Sequence, residues 1–254
     1  TIVLYILSIA SIAQGFISLI FGIRNMKYAL NYRQPDPPTG SVVVFCPVKG
    51  ADPFLADNAR SLLSQSHSNY RVLFILESKE DPAFRILSSI DIDKVELLIA
   101  GTATDSSQKV HNLSEAVRFA GSAADILVFC DSDACFPENW LTELISPLSD
   151  NLIGASTGYR WYLPLKRSLP ELLCSAWNAT AAGFLGAHKK NFVWGGSVAI
   201  RKDVFVRTGI LSAWKGTLSD DYVITHTMQR NGLRIVFVPT CLVPSKECWD
   251  WRRL

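Results

Sequence analysis

Hydrophobic and polar positions fall into three regimes along the chain. Thr1 to Ile23 carries no charged residue and is rich in Ile, Leu, Phe and Ala. As a helix it spans roughly 35 Å, enough to cross a bilayer core. The first charges, Arg24, Lys27 and Arg33, come after this run. A signal peptide has its positive charge before a shorter apolar stretch. The pattern therefore predicts a transmembrane helix over 1–23. The positive-inside rule then puts everything downstream on the cytosolic side. A buried core helix would share the composition. Tyr28 and Tyr32 suit a membrane interface, and 24–40, Pro-rich from Gln34 onward, is expected to be a juxtamembrane linker.

From residue 41 to about 150, short apolar runs alternate with segments of helical period. Strands are expected at 41–47, 70–76, 95–100 and 126–130, and helices at 53–65, 82–90, 110–121 and 137–148. This alternation is the βαβ signature of a parallel sheet. From 151 to 245 the pattern is less regular. It predicts a strand at 153–162, a helix at 169–187 with few charges, and a strand at 192–200 containing Gly195 and Gly196. A helix beginning near Arg201, a helix at 223–232 and a last strand at 234–238 follow. The 169–187 helix, interrupted by Glu171 and Asn178, suits a position near a bilayer better than a second span. Residues 246–254 stop in mid-pattern and read as the start of a truncated C-terminal region.

The 254 residues suffice for one sizeable domain or two small ones. A net charge of +2 argues against a nucleic-acid binder driven by a basic field. The six cysteines (46, 130, 135, 174, 241 and 248) and the histidines (67, 111, 188 and 226) show no metal-ligand spacing. Cys46 and Cys130 lie in apolar strand patterns and read as buried thiols of a reducing compartment. Neither a Gly-x-Gly-x-x-Gly nor a P-loop is present. No feature bears on oligomeric state.

The chemistry centres on Ile126 to Asp133. Five apolar residues end in Asp131-Ser132-Asp133. Ligands of open α/β sheets bind at the carboxyl ends of strands. Two carboxylates so placed repel unless a cation joins them, and Mg²⁺ takes one or two carboxylates plus substrate phosphates. A polar turn is the plainer alternative. Asp81 follows the second strand, and Asp220 with Asp221 stands at a helix N-terminus, where simple capping competes with a general-base role. Gly195 and Gly196 permit close backbone approach to a ligand, or mark a bulge.

These pieces together resemble a known family. Pro47-Val-Lys-Gly-Ala-Asp-Pro53, Glu80-Asp-Pro-Ala83, Lys109-Val-His-Asn-Leu113, Cys130-Asp-Ser132, Gly195-Gly-Ser197 with Arg201-Lys-Asp-Val204, and Asp220-Asp-Tyr222 occur in order behind an apolar N-terminus. The set is similar to the inverting family 2 glycosyltransferases of the GT-A fold, and among them to the ceramide glucosyltransferases and their bacterial relatives. The resemblance covers about residues 1–245. It implies an α/β GT-A domain with a mostly parallel central sheet, a nucleotide-sugar half at 41–150 and an acceptor half at 151–245. It implies a UDP-sugar donor, glucose foremost, a ceramide-like lipid acceptor, a membrane location and a Mg²⁺ or Mn²⁺ cofactor. By position, Asp81, Pro47 and Lys49 would line the nucleotide pocket, with Lys109 and Asn112 beside the donor. Asp131 and Asp133 would hold the metal on the diphosphate, and Asp221 would be the general base, with Asp220 beside it. Ceramide enzymes have Gly where this chain has Asp133, so here the chain follows the broader pattern. The family's Gln/Arg-x-x-Arg-Trp motif does not occur in it; Arg160-Trp161 lacks the first residue and lies elsewhere. Trp161, with Tyr162, Trp177 and Trp194, is a candidate for lining lipid entry, or is ordinary core.

Three other readings compete. A processive polysaccharide synthase would need the missing motif and several channel helices. A sugar-1-phosphate nucleotidyltransferase would want a Gly-rich basic loop after the first strand. A non-catalytic nucleotide-sugar-binding module would bind donor without Asp221.

Overall fold

The computed structural model describes residues 2–90, 95–246 and 250–252. Most of the expected C-terminal region, Cys248 included, lies outside them. Helix α1 (Ile2–Asn31) has an apolar stretch of mean hydropathy 2.1, none of it buried, and is the one described helix long and apolar enough to cross a membrane. It continues past Ile23, which leaves only 32–40 as linker. Its last two turns are held by the domain. Asn25 Nδ2 donates to the Gly183 carbonyl at 2.6 Å, and the Tyr28 hydroxyl donates to the Phe237 carbonyl at 2.6 Å.

The domain follows in order: β1 (Val42–Pro47), α2 (Leu55–Leu63), β2 (Tyr70–Leu76), α3 (Pro82–Ser88), β3 (Val95–Ile99), α4 (Gln108–Ala120), β4 (Ile126–Cys130), α5 (Trp140–Ile145), β5 (Ile153–Tyr162), α6 (Leu169–Ala182), β6 (Ser197–Arg201), α7 (Lys202–Arg207), α8 (Ile210–Ala213), α9 (Asp220–Arg230) and β7 (Arg234–Ser245). One seven-stranded sheet has the order β3-β2-β1-β4-β6-β5-β7. Every pairing is parallel except the two made by β6, which runs against both β4 and β5.

The apolar runs are strands covered on both faces. Val42, Val44 and Cys46 pack on one side of the sheet with Val128 and Trp140, and Val43 and Phe45 pack on the other with Phe129 and Trp214. Successive strand residues point to opposite faces, so an unbroken apolar strand feeds both layers. Phe129 stacks on Phe45, with ring centroids 5.4 Å apart, and meets Trp214 edge-on at 5.5 Å.

Three expectations are corrected. The 192–200 strand is shorter, because Ser197 N–H turns back to the Trp194 carbonyl and pairing starts only at Ser197. The last strand runs to Ser245. It stays paired with β5 across a register shift that takes up Pro239, so the proline is an irregularity and not an end. The helix expected at 137–148 is α5 followed by a 3₁₀ turn over Ser146–Ser149, where Pro147 ends α-helical bonding.

Candidate active site

The carboxyl ends of β1 and β4 and the first turn of α4 enclose a cleft of about 360 Å³. Pro47, Lys49, Lys109, Asn112, Asp131 and Asp133 line it, together with Asp52, Gln108 and Ser132. Six of the sequence-predicted residues thus meet in one place, where the topology of a parallel sheet puts its ligands.

Asp131 is the hub. Lys109 Nζ donates to its Oδ1 at 2.7 Å and Arg160 Nη2 donates to its Oδ2 at 2.9 Å. The same Lys109 reaches Asp220 Oδ1 at 3.3 Å, and Arg160 Nη1 donates to Asp133 Oδ2 at 3.1 Å. Two cations thus tie together carboxylates from the turn that follows β4 and from α9. Burial pushes the Asp131 carboxyl up, but Lys109 and Arg160 outweigh it and hold the group below its usual range. Asp133 is raised by burial, with Arg160 offsetting this in part and Asp131 adding to it. Asp220 is also raised by burial, which Lys109 opposes and Asp221 and Asp131 reinforce. Burial disfavours the charge on Lys109, yet Asp131 and Asp220 more than reverse that.

Arg160 is the member of this charged cluster that motif reasoning missed. Its side chain is only 14% exposed on a strand that is otherwise uncharged, and a buried lone charge calls for partners. Tyr162 Oη accepts from it at 3.0 Å, and its guanidinium lies over Trp194, 5.0 Å from the ring centroid. Trp161, between Arg160 and Tyr162, points to the opposite face of β5. The aromatics that meet this cluster are therefore Tyr162 and Trp194.

The glycine pair approaches protein carboxylates. A Cβ on Gly196 would lie 2.6 Å from Asp131 Oδ2 and inside the Trp194 ring, and one on Gly195 would collide with Asp220 and come within 3.1 Å of Lys109 Nζ. Gly195 N–H donates to Asp221 Oδ2 at 3.3 Å. Ser219 caps α9, and Asp221 Oδ1 accepts from the Ser219 hydroxyl and from Tyr222 N–H at 2.7 Å. Asp220 points inward, with Oδ2 buried and without a hydrogen-bond partner. Asp221 is half-buried and keeps access to solvent.

Asp81 stands apart from this cluster. It caps α3, accepting from Ala83 N–H at 2.8 Å, and also accepts from Gly50 N–H at 3.0 Å. Gly50 has φ +73°, a conformation that favours glycine, so the cap fixes the loop after β1 beside the cleft. Asn112 Oδ1 accepts from Gln108 Nε2 at 2.7 Å, which fixes the start of α4.

Asp131 and Asp133 bring hard oxygens to the cleft, the set a divalent ion takes when substrate phosphates complete its shell, and Lys109 and Arg160 would have to share these oxygens with it. Among the described residues no third His, Cys, Asp or Glu joins them. An ion held by this pair would need other ligands to complete its shell.

Sheet order, the reversed β6 and the acidic strand end make this a GT-A glycosyltransferase fold. The same fold is seen in the mannosyltransferase PcManGT from Pyrobaculum calidifontis, solved with GDP-Man and Mn²⁺. It has a TM-score of 0.63 and 20% identity over 96% of this chain and 68% of that one. GalNAc-T7 with UDP, GalNAc and Mn²⁺ gives a TM-score of 0.57 and 14% identity over 83% of this chain and 44% of that one. The chain belongs to glycosyl transferase family 21, whose profile matches residues 3–254. Ceramide glucosyltransferase 1 of Caenorhabditis elegans is 30% identical over 37% of this chain and 21% of its own length. Ceramide glucosyltransferase 3 of the same organism is 20% identical over 85% of this chain and 48% of its own. The likeness to ceramide glucosyltransferases is borne out, under family 21 where the motifs suggested family 2. The chain spans about half or less of these curated relatives.

Proposed function

We propose that this chain carries the catalytic site of a membrane-anchored, inverting glycosyltransferase. It moves a hexose, glucose foremost, from a UDP-sugar to the hydroxyl of a ceramide-like lipid on the cytosolic side. The observation that carries the reading is Asp131, held ionised by two cations at the head of a cleft, with Asp133 beside it and Asp221 across the glycine turn. A Mg²⁺ or Mn²⁺ ion held by Asp131 and Asp133 would neutralise charge on the leaving diphosphate. Lys109 and Arg160 add fixed positive charge on the same side. Pro47, Lys49 and Asn112 flank the donor, and Asp81 orders the loop that carries Lys49. Asp221 takes the proton of the acceptor hydroxyl, which attacks the anomeric carbon from the face opposite the diphosphate. Asp220 balances Lys109 and has no solvent path of its own. A single displacement needs one base and no enzyme nucleophile, unlike the paired carboxylates of retaining glycosidases.

The test is nucleotide release and glycolipid formation by the full-length protein in detergent. UDP-glucose, UDP-galactose, UDP-N-acetylglucosamine and GDP-mannose are each offered with ceramide or diacylglycerol, with and without Mn²⁺. Metal-dependent transfer that is lost in both Asp131→Asn and Asp221→Asn, with an inverted linkage by NMR, is the expected outcome. Folded protein that binds donor equally well with and without Asp221, and transfers nothing, would sink the reading.

A further inference from the structure

Helix α6 has its polarity reversed for a water-facing surface. Leu169, Leu172, Leu173, Ala176, Trp177 and Thr180 form its exposed stripe, at helical spacings of three and four, and Phe184 extends it. Trp177 is 83% exposed. The inward face holds the polar groups. Glu171, 2% exposed, accepts from Lys166 N–H at 2.8 Å, and the Ser175 hydroxyl donates to the Tyr162 carbonyl at 2.9 Å. Asn178 also turns in. A surface helix in water shows the opposite arrangement.

The position of α6 says what covers this stripe. Its C-terminal end receives Asn25 of α1, immediately after the apolar stretch gives way to Arg24. Gly186 lies so close to Asn25 that a Cβ would come within 2.8 Å of its Oδ1. Cations bracket the stripe: exposed Lys166 and Arg167 before it, exposed Lys189 and Lys190 after it. An uncharged apolar face with a large exposed Trp, basic flanks and a neighbouring span is the composition of a helix lying in a bilayer interface.

We propose that α6 lies in the membrane interface with Leu172, Leu173, Trp177 and Phe184 immersed in lipid. The inference rests on α1 as a span and not on any sugar transfer. Through Ser175 and Tyr162, α6 then joins the lipid surface to the strand that carries Arg160.

Photocrosslinking tests it. Phe16→p-benzoyl-phenylalanine in α1, Leu173→p-benzoyl-phenylalanine and Trp177→p-benzoyl-phenylalanine in α6, and Phe119→p-benzoyl-phenylalanine are made in the full chain. They are irradiated in phosphatidylcholine–phosphatidylglycerol nanodiscs and read by mass spectrometry. Phe119 is an exposed aromatic on α4, which packs on β1 and β2 away from the β7 edge. The expected result is lipid adducts at 173 and 177 comparable to those at 16 and at least about ten-fold above 119. Adducts at 16 with only the 119 level at 173 and 177 overturn the α6 proposal and leave the span standing. Crosslinks from 173 and 177 to a second copy, or to another segment of the same chain, overturn it in favour of a protein cover. Since both α6 side chains are exposed, folding is preserved, and circular dichroism checks this.

Discussion

Replacing Arg160 by methionine isolates what its charge does. Methionine keeps much of the apolar volume but removes the donors to Asp131 at 2.9 Å and to Asp133 at 3.1 Å. Two carboxylates then share a largely buried turn, with Lys109 reaching only the first. Breaking a fully buried pair costs about 3–5 kcal/mol, and an exposed one about 0–1. With side-chain exposures of 14%, 20% and 32% for Arg160, Asp131 and Asp133, the cost falls between these, at about 2–3 kcal/mol. For a chain of this size that lowers Tm by about 4–12 °C at pH 7.5. The sign with pH is also fixed. Without Arg160, Asp131 and Asp133 titrate higher in the folded protein, so the variant binds more protons than wild type as pH falls. Each such proton recovers about 1.4 kcal/mol per pH unit, and the deficit shrinks towards pH 5. Differential scanning fluorimetry of both proteins in one detergent, from pH 5 to 8, reads this directly. A variant that melts with wild type at pH 7.5, or whose deficit grows as pH falls, refutes the account of Arg160 as the neutralising partner.

The other carboxylates separate by the direction of their shifts. Asp131 is held below its usual range, so its stability contribution is present at neutral pH and lost as pH falls through its folded pKa. Asp131→Asn therefore melts lower than wild type at pH 7.5, by about 3 kcal/mol, with the gap closing in acid. Asp220 is raised, so its ionisation costs stability as pH rises. Asp220→Asn should accordingly melt no lower than wild type at pH 7.5, and a large loss in the same scan would show that its pairing with Lys109 outweighs the cost of its burial. Gly196→Ala places a methyl against the Trp194 ring and Asp131, an overpacking worth about 1–3 kcal/mol in urea unfolding, and donor binding should weaken with it. For Asp81, lost capping costs about 1 kcal/mol in Asp81→Ala and is restored in Asp81→Ser. Calorimetric titration with UDP decides whether this residue also meets the nucleotide, since a direct contact leaves the serine variant weakened.

Much of the cleft was legible because its signals are local. Apolar runs of five residues between helical periods specify strands, and Asp131 with Asp133 stands at the end of the most apolar of them. Arg160 was not legible as a motif, because its partners lie far away in sequence and only pairing brings β5 within reach of β4. Its trace was physical: a lone charge in a strand that must be buried. Trp161, expected with Tyr162 to line lipid entry, lies on the face of β5 opposite Arg160, and Tyr162 is the one that meets the carboxylate cluster. Glu171 and Asn178 looked like interruptions of α6, whereas they face the protein and leave the apolar side outward. The glycine pair suggested a close backbone approach, and what comes close to it in the structure is Asp220, Trp194 and Asp131.

The reversed strand β6 has a consequence for how the molecule can come apart. It hydrogen-bonds to β4 on one side and β5 on the other, so the sheet runs unbroken from the strands of the first half to those of the second. Further ties cross the same line. Trp140 Nε1 donates to Ser197 Oγ at 2.9 Å, and Arg201 Nη1 donates to the Leu148 carbonyl at 2.7 Å. The boundary near residue 150 that the resemblance suggested is thus not a boundary between two folding units. Residues 41–150 expressed alone would offer β4 as an open apolar edge, an invitation to aggregation. Rotation of the two halves about a hinge, as in two-lobed binding proteins, would have to break the β4–β6 or β5–β6 ladder.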